Sequence, residues 1–107
     1  METLEFKDNQ MIIQKGEKGE YVYVLKSGKV KIKVNGYELI MTDEDICVFG
    51  LEALIDEPYT ETCVTVGNVK VIRYQPSEFM EIYAKTEVGK KALESFMRRT
   101  AKVLGWI

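Results

Sequence analysis

Residues 49 to 63 read Phe-Gly-Leu-Glu-Ala-Leu-Ile-Asp-Glu-Pro-Tyr-Thr-Glu-Thr-Cys, and no other stretch gathers so many groups able to meet a ligand. Phe49 and Gly50 lead into Leu51-Glu52-Ala53-Leu54, a run of helix formers. Gly50 permits close backbone approach, and a short helix starting there aims free N–H groups at an anion. Tyr59 adds a flat ring and a hydroxyl, and Thr60 and Thr62 add small polar contacts. Yet no Lys or Arg lies anywhere in the stretch, while Asp56, Glu57 and Glu61 contribute charge that repels phosphate. A neutral or weakly charged ligand suits these groups better than a phosphate does. An empty, structural segment suits them equally well.

Composition narrows the chemistry further. With no His in 107 residues, Ser-His-Asp and Cys-His catalytic pairs are excluded, and two Cys alone cannot complete a tetrahedral zinc site. Acid–base work would fall to carboxylates, Lys or Tyr. No metal or other cofactor is expected, and a cupin-like metal enzyme on a similar barrel is argued against. Fifteen basic and seventeen acidic residues leave a net charge of −2, which gives no general pull toward nucleic acid or an anionic membrane. No apolar run approaches membrane-spanning length, and the acidic start lacks a signal peptide's apolar core. With only Cys47 and Cys63, the expected location is cytoplasmic.

Short strands must position the segment. Met11-Ile12-Ile13 is stopped by Lys15-Gly16-Glu17-Lys18-Gly19, which is turn chemistry. Tyr21 to Leu25 is rich in β formers, and Ser27-Gly28 reads as the next turn. Lys29 to Val34 alternates charged and apolar residues, as a half-buried strand does. Asn35-Gly36 predicts a tight hairpin returning through Tyr37 to Met41. Another strand is expected over 45–49. A second hairpin is expected from Glu61 to Tyr74 about Gly67-Asn68. Residues 1 to 8 show too little apolar periodicity for a helix. Pro76-Ser77-Glu78 favours helix initiation through about Lys85, and Thr86 reads as the N-cap of a second helix over about 87–104. That helix carries two apolar stripes, enough for the barrel and for a second copy of the chain. The expectation is one domain over 1–107, mainly β with C-terminal helices. Seven or eight strands over about 10–75 form a jelly-roll (double-stranded β-helix) barrel, followed by the two helices.

The segment from Ile13 through Gln-Lys-Gly-Glu-Lys-Gly-Glu-Tyr-Val-Tyr-Val-Leu-Lys-Ser-Gly-Lys-Val-Lys to Ile32, with Phe49-Gly50 and the run from Val69 into Pro76-Ser77-Glu78-Phe79, resembles the cyclic nucleotide-binding domain family. This is the sensory fold of catabolite activator protein and of protein kinase regulatory subunits. The resemblance runs from roughly Phe6 to Lys85. It implies a nucleotide pocket between a short helix and the barrel wall. It also implies three devices there: backbone donors for the cyclic phosphate, an Arg from a Pro-Arg-Thr-type turn, and a Glu for the ribose 2′-hydroxyl. Here Tyr59 stands in the Arg position, a loss of roughly 1.5–3 kcal/mol for a charged hydrogen bond. Leu51 follows Gly50 where Glu is expected, and Glu52 comes one place later, a rotation of about 100° on a helix. The following loop is about one residue short, which gives Glu52 a route back to the site.

The residues expected to touch a ligand are therefore Phe49, Gly50, Leu51, Glu52, Ala53, Tyr59, Thr60 and Thr62. The expected function is a non-catalytic regulatory or sensory module that does not bind cyclic AMP in the usual way. A structural or dimerisation module with a non-functional pocket is the alternative. A small molecule in the barrel and a homodimer through helix 87–104 are the expected partners. The chain stops at Ile107 where many relatives continue into a helix-turn-helix, so direct nucleic-acid binding is not expected. Lys29, Lys31 and Lys33 read as a solvated strand face, Arg98-Arg99 as a solvated helix face, and Tyr21, Tyr23 and Tyr37 as barrel packing. Cys47 and Cys63 read as buried free thiols.

Overall fold

The computed structural model describes residues 1–44, 47–83, 85–87 and 89–91. Six strands are found among them: β1 (Glu2–Phe6), β2 (Met11–Ile13), β3 (Val22–Val34), β4 (Tyr37–Thr42), β5 (Val48–Phe49) and β6 (Thr62–Tyr74). A 3-10 helix (Leu51–Ile55) separates β5 from β6, and α1 (Pro76–Tyr83) follows β6.

The two long strands β3 and β6 pair antiparallel and run through the whole barrel. Their first shared segment sets Val22–Leu25 against Val71–Tyr74; their second sets Lys29–Lys33 against Thr62–Val66. On the first segment β1 joins β6 and β5 joins β3. On the second, β2 joins β6 and β4 joins β3. The outcome is two four-stranded layers that share two bent strands, the jelly-roll arrangement expected from the sequence.

The bend corrects two expectations. Ser27-Gly28 does not divide two strands, and Gly67-Asn68 does not close a hairpin; both lie inside continuous strands. Between the facing pairs Ser27↔Lys70 and Lys29↔Val66, β3 spends only Gly28 while β6 spends residues 67 to 69, so the ladder turns a corner. Residue order explains the difference from Asn35-Gly36. That pair has φ of 40° and 86°, the double positive φ of a type I′ turn, whereas at the corner Gly67 is positive and Asn68 is not. Gly28 is required there. Its φ is 101°, and a Cβ would come within 2.5 Å of the Asn68 carbonyl oxygen.

Residues 1 to 8, without helical periodicity, hold an edge strand instead. Leu4 and Phe6 of β1 pack on the barrel interior. Strand position also explains the two sequence textures of β3. In its first half Tyr23 and Leu25 face the interior while Val22 packs outward with Val48, Leu51, Ala53, Tyr74 and Phe79. Both faces are covered, hence an unbroken apolar run. In its second half only Val30, Ile32 and Val34 are buried, and Lys29 and Lys33 meet solvent. Tyr37 differs from expectation: it sits at the hairpin tip, 49% exposed, not in the barrel.

Glu78 helps start α1, since its carboxylate accepts from the Gln75 N–H at 3.0 Å. Thr86 accepts from the Gly89 N–H at 3.1 Å, as an N-cap does. The rest of the expected helix 87–104, with its apolar stripes and Arg98-Arg99, lies outside the described residues after Lys91. No helix among the described residues is long and apolar enough to cross a membrane.

Gly28→Ala is expected to cost about 2–4 kcal/mol, from a strained φ and a backbone clash together. Urea denaturation measures it; a loss below about 0.5 kcal/mol would mean that the corner tolerates a side chain.

Candidate functional site

Gly50 opens the site in the left-handed conformation, φ 81°, and a Cβ on it would lie 2.7 Å from the Tyr21 carbonyl oxygen and 3.2 Å from the Tyr59 ring. The 3-10 helix that follows is five residues long, and the Ala53 N–H is already taken by the Gly50 carbonyl at 3.1 Å. A second left-handed residue, Asp56, ends it.

The turn after the helix is fixed by the loop that precedes β3. The Gly16 N–H donates to the Tyr59 carbonyl at 2.8 Å, and the Tyr59 N–H donates to the Glu17 carbonyl at 2.9 Å. Lys18 bridges Pro58, and buried Gly19 fits against the Glu57 carbonyl and Ala53 where a side chain has no room. The Gly-rich run 15–19 is thus the clamp that holds the turn.

Tyr59 completes that clamp. Its hydroxyl accepts from the N–H of Tyr21 at 3.1 Å and of Glu20 at 3.3 Å, and donates to the Tyr21 carbonyl at 2.7 Å. The side chain is buried, and its polar atom is spent on main chain. Burial pushes the phenol above its ordinary value near 10, against the pull of those backbone donors. Tyr23 is raised too, by burial first and then by its neighbour Tyr59.

Glu52 is 2% exposed. Its Oε2 accepts from the Thr60 N–H and from the Thr60 hydroxyl at 2.8 Å, so the carboxylate closes on the turn from the helix side. Its Oε1 is buried and has no donor among the described residues. An unmet acceptor in a buried place costs about 1–3 kcal/mol and marks where a ligand N–H or O–H would be welcomed.

The eight residues expected at the site therefore divide. Phe49, Gly50 and Tyr59 meet on the interior side; the Phe49 ring stacks on Tyr23 with centroids 5.4 Å apart. Glu52 joins Thr60. Leu51 and Ala53 belong to the outer apolar cluster. Thr62 is apart, its hydroxyl accepting from the Lys15 N–H at 3.1 Å. A cavity of about 490 Å³ is lined by Glu5, Phe6, Lys7, Ser27, Asn68, Val69 and Lys70, beside the corner and away from all eight. Among the described residues, no cluster of three or more acidic, Cys or His side chains could hold a metal.

Sequence reasoning missed Arg73. It lies directly across from Tyr23 on β3 and from Glu2 on β1. Its guanidinium sits 4.3 Å from the Tyr21 ring centre, and Nη2 donates to Glu2 at 2.6 Å. A signal was present. Val69, Val71 and Arg73 share one strand face, and an Arg on an otherwise apolar face is out of place.

The geometry is a barrel of two layers bent at a shared corner, with a short helix and a clamped turn over one end. The chain belongs to the cyclic nucleotide-binding domain family, whose model matches residues 3–86. A cGMP-dependent protein kinase of Toxoplasma gondii is 37% identical over 79% of this chain and 11% of its own length. A cAMP-dependent protein kinase regulatory subunit of Debaryomyces hansenii is 30% identical over 63% of this chain and 15% of its own. The chain thus spans roughly a tenth of the first of these relatives and little more of the second. Among solved structures, the PKAR domain CBD2 bound to Sp-2Cl-cAMPS superposes with a TM-score of 0.76 at 20% identity, covering 97% of this chain and 71% of that one. The cAMP-bound PfPKA-R (141–441) gives 0.77 at 20%, covering 97% and 37%. At that identity the likeness establishes the fold.

Tyr59→Phe is expected to destabilise the domain by about 2–3 kcal/mol, because two N–H groups and a carbonyl lose their partner. Chemical denaturation checks it; an unchanged midpoint would mean the clamp holds without the hydroxyl. The two raised phenols also give a pH dependence. Their folded-state values exceed the unfolded ones, so this stability is complete below pH ~10 and is lost as pH rises further, through the folded values. Ultraviolet titration should show some of the six tyrosines ionising only as the alkaline unfolding proceeds.

Proposed function

We propose that this chain is a non-catalytic regulatory module of the cyclic nucleotide-binding family whose phosphate site has been altered, so that cyclic AMP and cyclic GMP are not bound in the usual way. The observation that carries the reading is Tyr59. It stands in the Pro-Tyr-Thr turn where the family's turn supplies a cation, and its hydroxyl is committed to Glu20 and Tyr21. Asp56 and Glu57 on the same turn are exposed and acidic. A phosphate entering there would meet negative charge without compensation.

The ligand site in this reading comprises Phe49, Gly50, Glu52, Tyr59 and Thr60, with Leu51 and Ala53 as its outer packing and Thr62 holding the adjoining loop. Glu52 Oε1 is its one buried acceptor without a donor among the described residues, which favours a ligand carrying an N–H or O–H. The output in this reading passes to the helix that Thr86 caps, and two copies pair through it in the cytoplasm. Kinases and kinase regulatory subunits among the relatives support a regulatory role.

Titration calorimetry with cyclic AMP and cyclic GMP is the test. The expected outcome is no saturable heat at micromolar ligand and no thermal shift. A ligand held at 100 times its dissociation constant would add about 2.7 kcal/mol of stability, so a large shift with either nucleotide would overturn the reading.

A further inference from the structure

A cation stands on the inward-facing side of β6 at one end of the barrel, its side chain 26% exposed. Along β6, Val69 and Val71 belong to the interior cluster, and Arg73 is the next residue on that face. Along β1, Leu4 and Phe6 pack inward, and Glu2 continues their face. Along β3, Tyr23 and Leu25 point inward, with Tyr21 packed against the same cluster. Registers Glu2↔Arg73 and Tyr23↔Arg73 bring these residues to one end of the barrel. It is the end that the 3-10 helix covers, because Tyr23 stacks on Phe49 and lies beside Gly50.

The guanidinium also hydrogen-bonds the Tyr23 side chain, yet it is incompletely satisfied. Nη2 donates to Glu2, but Nε is buried and has no acceptor among the described residues. A carboxylate meeting an arginine side-on accepts from both of those nitrogens. Glu2 takes one only, and its side chain is 55% exposed, so it contributes little to stability and is readily displaced. The Tyr21 ring meanwhile covers one face of the guanidinium and holds the plane of the fork. The stacked Tyr23 and Phe49 rings supply an apolar wall next to it.

We infer that Arg73 is the anion-binding residue of this domain. It takes the carboxylate or phosphate of a small organic anion with a planar apolar body through Nε and Nη2, and Glu2 is the internal carboxylate that the ligand displaces. The inference rests on the altered-turn reading above: the compensating cation enters from strand β6, not from the turn. Glu2 makes the site selective, since only an anion that satisfies both nitrogens improves on the contact already present.

The test uses benzoate and phenyl phosphate as probes at constant ionic strength. Binding is followed by nuclear magnetic resonance shifts and by calorimetry in the native chain and in Glu2→Gln, Arg73→Gln and Arg73→Lys. Removing the competing carboxylate in Glu2→Gln is expected to tighten at least one probe by about tenfold, the scale of one charge-assisted contact. Arg73→Gln is expected to weaken it by about tenfold or more, and Arg73→Lys to fall between, having charge without the fork. A preference for benzoate or for phenyl phosphate identifies the anionic head and supports the assignment either way. Equal binding by the native chain and Glu2→Gln would overturn it, and so would binding that survives Arg73→Gln. If Arg73→Gln does not fold, the Glu2→Gln comparison decides alone. Cyclic AMP binding that is insensitive to Arg73→Gln would instead overturn the altered-turn reading, a result separable from those of the two probes.

Discussion

A single phenolic oxygen holds the most distinctive part of this domain together. The Tyr59 hydroxyl serves two N–H groups and one carbonyl of residues 20 and 21, at the point where the chain enters β3. Main-chain groups that are buried must find partners, and an irregular loop offers few. By supplying them from a side chain, Tyr59 ties the loop 14–21 to the turn that carries Tyr59 itself. The same turn is held from the other side by Glu52 through Thr60. Both side chains thus serve the architecture, Tyr59 at the position where the resemblance implied an Arg and Glu52 one place after the expected Glu.

In the proposed reading the turn has lost a cation, and the fold itself does not depend on one there. The barrel depends on the β3–β6 ladder, the corner at Gly28 and the two apolar clusters on either side of the sheet. None of these needs a cation at residue 59. A buried tyrosine contributes area and hydrogen bonds in its place. The electrostatic character of the interior then falls to whatever strand residues face it, and Arg73 is the charged group that the β6 alternation delivers there.

Much of the fold was legible because it follows from local rules. Asn35-Gly36 demanded its hairpin, Thr86 its cap, and the Lys29–Val34 alternation its half-buried strand. What failed were the two places where glycine marks a bend inside a strand. Ser27-Gly28 and Gly67-Asn68 look like turns locally; only their mutual pairing shows that they face each other across one corner. The short β1 was hidden because an edge strand of five residues has too few positions to display a period. At the site, sequence spacing put Glu52 out of phase with a ribose but could not show that its carboxylate would turn onto Thr60. Arg73 is distant in sequence from residues 49–63, and only antiparallel register brings it near them in space.

The pairing of β1 with β6 has a kinetic side. Glu2 meets Arg73, and Phe6 meets Val69, so this layer closes only when nearly the whole described chain has been made and brought together. Loop closure over such separations is entropically expensive before any contact repays it, which places this barrel among slow-folding topologies, milliseconds to seconds rather than microseconds. Until then β1 is an orphan segment with Leu4 and Phe6 uncovered. Its charged neighbours Glu2 and Glu5 keep that waiting strand from pairing with others, a protective duty that ends when β6 arrives.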